Sequence, residues 1–364
     1  MDDGLKVGTV ALGMAGPLAI GPEKVVFTAD SRAAKVYAVE VEAPDRGAAV
    51  EGPLDVDDLD VRIGAYLGCD VDDLVIRDLA VQPGSGDVLL SVQRGQGDAG
   101  TAVLLRLRRD DAAIEEVPLT GVRMAEWSLD DAPAVDDERT EMSIGIDEGD
   151  EVTYGDLTFR LLTVPIRTST VTDLGYLDGT LLVAGLSNEE FASKLRRIPF
   201  PFGPDGDDSS LEIFHVSHGA WETAAPIRTF VPYEDGRSIL ASYTCTPVVH
   251  FPLADIGTGD KAVGRTVAEL GAVNTPLDMT TFRDADGEHL LVANTSHGLL
   301  KIDCADIDGQ TPLTEPQGPR GVPRETSDLQ GVVRLANLDD RHVLVLQRDD
   351  DGRRRLRTVK TESL

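Results

Sequence analysis

The chain is short of cysteine, of lysine and of long apolar runs, and each shortage excludes something. Three cysteines, Cys69, Cys245 and Cys304, make no CxxC pair, which argues against a cysteine zinc site, and their odd number argues against a disulfide framework. Lysine occurs seven times in 364 residues, and all basic residues together number 34 against 64 acidic ones, a net charge of −30. A phosphate-backbone binder needs a basic face and a peripheral membrane protein a polybasic cluster, so nucleic-acid binding and membrane insertion are not expected. No segment reaches the roughly 18 apolar residues of a membrane-spanning helix. No GxSxG, Walker, Rossmann or HExxH pattern occurs. The apolar stretch from Val7 to Ile20 is broken by Gly8, Gly13, Gly16 and Pro17 and follows Asp2 and Asp3. It reads as a strand and a turn, not a signal peptide. A cytoplasmic protein and an exported protein stripped of its leader both fit; the expectation leans to a periplasmic or secreted location.

What is present is a β protein. Hydrophobic residues make up 41 % of the chain, enough for a sizeable core, and 36 glycines with 20 prolines suit many turns. Helical periodicity is confined to Asp58–Leu67 and Asn188–Arg196, the second with Ser187 as N-cap and Glu189 and Glu190 in its first turn. Elsewhere, short apolar runs repeat as strand, Gly/Asp turn, strand, loop, strand. Val25-Val26-Phe27-Thr28, Val88-Leu89-Leu90-Ser91, Leu181-Leu182-Val183-Ala184, Ile239-Leu240-Ala241-Ser242, Leu290-Leu291-Val292-Ala293 and Val343-Leu344-Val345-Leu346 mark six units. Their spacing of about 50 to 60 residues, with one longer step before Asp173, suits a radial array of sheets. The expected fold is a six-bladed β-propeller spanning residues 1–364 as one domain, with insertions at about 121–165 and 187–210. A seven-bladed ring is the alternative if residues 121–165 form a blade. Leu5–Leu12 has no unit of its own and is expected to close the ring on the last blade.

The first unit, Gly16-Pro17-Leu18-Ala19-Ile20-Gly21-Pro22 followed by Val26-Phe27-Thr28-Ala29-Asp30, resembles the repeat of NHL-type propellers. It also resembles the gluconolactonase and strictosidine-synthase-like propellers. The likeness is at fold level and by itself assigns no activity. In gluconolactonase-like enzymes a central metal held by Glu, Asp and Asn polarises the substrate. This chain departs from that pattern, with Pro17 where other units have Asp.

In a propeller the entry to each inner strand and the loop after the second strand share one face. Asp78, Asp173 and Asp278 therefore converge on one mouth, with Asp328 near by. Asn294 adds an amide, and together they would suit Ca²⁺ or another divalent cation; alternatively, each Asp accepts backbone N–H bonds in its own turn. Asp30, Arg32, Arg94, Asn188, Cys245 and Ser296 reach the same face as candidate ligand contacts. His297, on a loop beside Asn294 and Ser296, is the candidate general base. His215 and His218 form an H-x-x-H, and a shared metal there needs a turn at Ser217–Gly219, because i and i+3 on a strand face opposite sides. The expected function is a binding protein that uses this mouth for a small ligand, a cation or a protein partner. A metal-dependent hydrolase or lactonase with Asp173, Asp278, Asn294 and His297, and a pure interaction scaffold, are the rival readings.

Overall fold

The apolar runs are strands covered on both faces, which is why they read as continuous rather than alternating. Val25–Asp30 and Ser238–Tyr243 are buried at every position, and Val88–Arg94, Thr180–Leu186 and Glu288–Asn294 at all but one end residue. These strands belong to a computed structural model that describes residues 3–43, 52–95, 100–145, 149–154, 157–244, 246–259, 261–271, 274–316 and 320–364. The chain is all-β, with antiparallel sheets arranged in the propeller manner. Among the described residues, no helix is long and apolar enough to cross a membrane.

Seven sheets lie among the described residues, and six of them are numbered here by their first strands. Sheet I is built on Leu18–Ile20, Val25–Asp30, Lys35–Glu40, Thr120–Ser128 and Lys6–Thr9. Sheet II is Leu74–Val81, Val88–Arg94, Thr101–Leu107 and Ile114–Glu116. Sheets III, IV, V and VI begin with Asp173–Leu177, Ile227–Tyr233, Pro276–Arg283 and Val332–Asp339. The first strand of I lies beside those of II and III; III is beside IV, IV beside V, V beside VI, and VI beside II. Apolar clusters fill the gaps between these sheets, for example Phe27 and Val36 of I against Leu174 and Leu181 of III.

Chain order and spatial order differ. Sheet II is threaded between the third strand of sheet I and its fourth, Thr120–Ser128, which pairs back onto Lys35–Glu40. The expected strand at Leu5–Leu12 forms over Lys6–Thr9 but pairs with Thr120–Ser128, not with the last sheet. The outer edge of sheet VI is met by residues 54–58 instead. Val56 and Leu356 exchange both backbone bonds at 2.9 Å, and Asp55 Oδ1 accepts from Thr358 N at 2.7 Å. The reason is the threading: sheet II stands between I and VI, so the chain passes along sheet VI on its way there. The helix Leu59–Leu67 follows, burying Leu59 and Ile63, one turn apart, in the same apolar cluster as Leu356. Asp60 is fully buried at this seam, its carboxylate accepting from Val61 N at 2.9 Å and Arg354 N at 3.1 Å. Asp60→Ala strands a buried donor and is expected to lower stability by about 1–3 kcal/mol, read as a fall in the denaturation midpoint.

The two insertions also differ from expectation. Part of 121–165 is the fourth strand of sheet I; Thr140–Gly145, Asp150–Tyr154 and Leu157–Pro165 form a separate three-stranded sheet that, among the described residues, pairs with none of the six. The expected helix at Asn188–Arg196 is a turn leading into the strand Ser193–Pro199. Its charges mimic an amphipathic helix but are ion-paired in place. Lys194 reaches Asp208 at 2.5 Å and Glu189 at 2.9 Å, and Arg196 grips Asp131 at 2.7 and 2.9 Å.

Candidate functional site

The first strands of sheets II, III and V carry Asp78, Asp173 and Asp278, and each aspartate does the same work. One oxygen accepts from the next residue's own N–H: Leu79, Leu174 and Met279, all at 2.8 Å. The other accepts from a backbone N–H of the neighbouring sheet: Leu18 of I, Phe230 of IV and Leu335 of VI, all at 2.7 Å. Every second junction between adjacent first strands is thus stapled by a carboxylate, always in the same rotational sense. Sheet I is a donor in this scheme, which explains why Pro17-Leu18 lacks an aspartate.

The staples surround a central cavity of about 1320 Å³. The insert sheet contributes Glu141, Ser143, Arg160, Leu162 and Val164 to its wall. The three aspartates are half-buried where they line the cavity, and their carboxylates are close enough to repel one another. Burial, then Asp278, pushes Asp78 up to about 7. Burial, then Asp78 and Asp278, holds Asp173 well above the usual range. Burial raises Asp278 too, against the pull of Arg334. The same wall carries Arg32, Arg77, Arg160, Arg228, Arg334, Arg348, Arg353 and Arg354, and no lysine. Arg334 donates to the carbonyls of Arg77 at 2.7 Å, Leu277 at 3.3 Å and Val333 at 2.7 Å. Burial and the neighbouring Arg334 and Arg77 lower Arg228 to about 10, so it stays cationic at neutral pH. Among the described residues, neither Arg228 nor Arg334 has a carboxylate at salt-bridge distance. Glu141, raised by burial, faces Arg228, and its Oε2 is buried without a hydrogen-bond partner. In a protein with almost two acids per base, this cavity wall carries eight arginines against seven carboxylates, the other three being Asp72, Asp73 and Asp351.

The other sequence-predicted residues, Arg32 apart, fall elsewhere. Arg32 lines the cavity. Asp30 is buried and anchors a loop, accepting from Gly13 N at 2.6 Å and Ala33 N at 2.9 Å. Arg94 is exposed at a smaller hollow beside Asp73 and Cys69. Asn188 is exposed and accepts from Arg139 at its Oδ1. Asn294 is buried but commits its amide to its own loop, accepting from Ser296 N and His297 N and donating to Gly298 O at 3.1 Å. Ser296 and His297 are exposed and outside the cavity wall, as is Asp328. Cys245 lies outside the described residues. Arg77, Arg228, Arg334 and Glu141 are additions that sequence reasoning missed. The signal for the three arginines is an arginine interrupting or bordering an apolar first strand, as in Ile227-Arg228-Thr229-Phe230 and Val333-Arg334-Leu335.

The raised carboxylates make a signed pH prediction. A folded-state pKa above the unfolded one gives stability that is full below the unfolded value and is lost as pH rises through the folded value. The melting temperature should therefore fall between pH 6 and 8.5, where exposed carboxylates no longer titrate. The diagnostic is a flatter profile for Asp78→Asn. An Asp78→Asn profile as steep as the wild type would assign the slope elsewhere.

No family model and no curated protein matches the chain. Solved structures do. Streptogramin B lyase is 11 % identical with a TM-score of 0.40, covering 98 % of this chain and 97 % of its own. The Swd1 β-propeller domain of Myceliophteria thermophila is 12 % identical with a TM-score of 0.40, covering 97 % and 98 %. The extracellular domain of a hybrid two-component system of B. thetaiotaomicron is 10 % identical with a TM-score of 0.35. It is covered over 94 % of this chain, which spans 32 % of that chain's length.

Proposed function

We propose that the chain is a single six-bladed propeller, with spatial blade order II-I-III-IV-V-VI, that binds a small anionic ligand in its central cavity. The observation that carries this reading is the cavity's charge. Among the described residues, Arg334 is held by backbone carbonyls and Arg228 by no hydrogen bond, while the three central carboxylates are pushed toward their neutral form. Guanidinium groups in a sheltered cavity suit a carboxylate or phosphate, which they can grip with paired N–H bonds. The insert sheet then forms one wall over the ligand. A hydrolase centred on Asp173, Asp278, Asn294 and His297 has less support, because the Asn294 amide and both oxygens of each aspartate already hold backbone groups.

Thermal shift with inorganic phosphate, citrate, a sugar phosphate, an uncharged sugar and Ca²⁺ tests the reading at pH 6 and 8. At least one anion should raise the melting temperature by a few degrees at saturation, as expected for about 2–3 kcal/mol of linkage at roughly 100 times Kd. The shift should be larger at pH 6, where Asp78 is mostly protonated and no longer opposes the anion. If Ca²⁺ alone stabilises the protein, the cavity is a cation site and the proposal fails.

A further inference from the structure

A second site lies on the outer rim of sheet III, away from the cavity. The strand Asp207–His215 turns back into Ala220–Glu222, with His215 opposite Ala220 and Ile213 opposite Glu222. Residues opposite one another, or two apart on one strand, share a face, so His215 and Glu222 point the same way. Between them the chain makes the tight turn that an H-x-x-H needs before both rings can meet. Gly219 closes it at φ +65°, donating to His215 O at 2.8 Å. His218 is folded back onto His215, their ring centres 3.9 Å apart.

Three ligand-type groups result. Glu222 Oε2 is 3.0 Å from His215 Nδ1, and Glu222 Oε1 is 2.5 Å from His218 Nδ1. One ligand atom from each residue lies within 4.8 Å of the other two, and no other His/Cys/Asp/Glu trio among the described residues does this. A second observation is independent of the trio. The far nitrogen of the buried His215 ring, Nε2, meets Thr246 Oγ1 at 3.2 Å. An outer partner on the remote nitrogen is how metal-bound imidazoles are oriented, leaving the near nitrogen's lone pair for the ion.

We propose that His215, His218 and Glu222 form a transition-metal site with a preference for Zn²⁺. Two imidazoles and a carboxylate suit Zn²⁺, whereas Ca²⁺ and Mg²⁺ require more oxygens than this hairpin offers. Metal bonds of about 2.0–2.2 Å would draw the three donor atoms together by small side-chain rotations. His218 is 54 % exposed in its side chain, so the fourth position opens to solvent. The site does not depend on the cavity reading, since none of its residues lines the cavity.

The test is a titration of metal-free full-length protein with Zn²⁺ against a chromophoric chelator, repeated with Co²⁺ for its visible absorption. One equivalent should bind, Co²⁺ should show the d–d bands of a four-coordinate site, and excess Ca²⁺ should not displace Zn²⁺. His215 is buried and its loss risks misfolding, so the exposed His218→Ala and the near-isosteric Glu222→Gln are used, with circular dichroism confirming the fold. Each should weaken Zn²⁺ binding at least about tenfold. Absence of stoichiometric binding, or wild-type affinity in both variants, would mean that the trio is only a hydrogen-bonded His–Glu–His cluster and would overturn the proposal.

Discussion

Asp278→Ala is expected to lower the free energy of unfolding by about 3–4 kcal/mol, the largest loss among the three central aspartates. The Asp278 carboxylate accepts from Met279 N at 2.8 Å and Leu335 N at 2.7 Å, and Thr229 Oγ1 lies 3.4 Å away. The first bond stays within sheet V, the second joins sheet V to sheet VI, and the third contact reaches sheet IV. A hydrogen bond to a charged acceptor contributes about 1.5–3 kcal/mol, and a stranded buried donor costs about 1–3 kcal/mol. Two effects reduce the sum. Removing a buried carboxylate relieves its desolvation, and water in the cavity can reach part of the vacated space. Arg334 works the other way, because the guanidinium loses the attraction of the Asp278 carboxylate. Asp278→Asn keeps one acceptor and turns an NH₂ toward the other donor, so it should recover no more than about half the loss. Urea midpoints of the two variants measure this. A change below about 1 kcal/mol for alanine would mean that cavity water replaces the carboxylate and the staple is dispensable. A second readout follows from the repulsion across the cavity. With Asp278 gone, Asp78 loses the second-largest cause of its rise, so its titration should move down from about 7.

How much of this was legible beforehand depends on which forces act locally. The second strands were legible because both their faces are covered, so Val88-Leu89-Leu90 or Val343-Leu344-Val345 announces itself without any neighbour. The aspartates at 78, 173 and 278 were legible as a recurrence, and half of each carboxylate does accept a local backbone N–H, from the next residue of its strand and not from a turn. The other half was not, because its donor lies 57 or 60 residues away on another sheet. The threading of sheet II through sheet I was hidden for the same reason. Nothing in Thr120–Ser128 says that it returns to Lys35–Glu40 rather than staying with its sequence neighbour. The segment 188–196 misled because Lys194 and Arg196 look like the solvent face of a helix. Only Asp208 and Asp131, distant in sequence, make them tolerable inside a strand. The H-x-x-H was readable, together with the turn it required, whereas Glu222 became a partner only through hairpin register.

Arg228→Glu should abolish anion binding to the cavity, with a loss of at least about 100-fold for whichever of phosphate, citrate or sugar phosphate binds the wild type. Truncating or reversing one member of a sheltered charge pair costs about 2–5 kcal/mol, and each 1.4 kcal/mol is a factor of ten. Arg228 is favoured for this role because it is cationic, faces the cavity and has no carboxylate at salt-bridge distance among the described residues. Reversal does more than remove a donor. It adds a carboxylate to a wall that already holds Asp78, Asp173, Asp278 and Glu141, where an anion would meet repulsion. The new glutamate would share their burial, so its own pKa should be raised. Affinity should therefore recover in part as pH falls toward 5 and that group protonates, a dependence steeper than the wild type shows. Arg228→Lys keeps the charge but loses the planar fork, and a smaller loss of about tenfold is expected. Arg283→Glu, on an exposed arginine paired with Asp235 and Glu288, is the control and should leave binding unchanged. Calorimetric titration of the three variants decides the matter. Equal affinity in Arg228→Glu and Arg283→Glu would place the anion outside the cavity, and the charge pattern would then serve only to offset the crowded carboxylates at the centre.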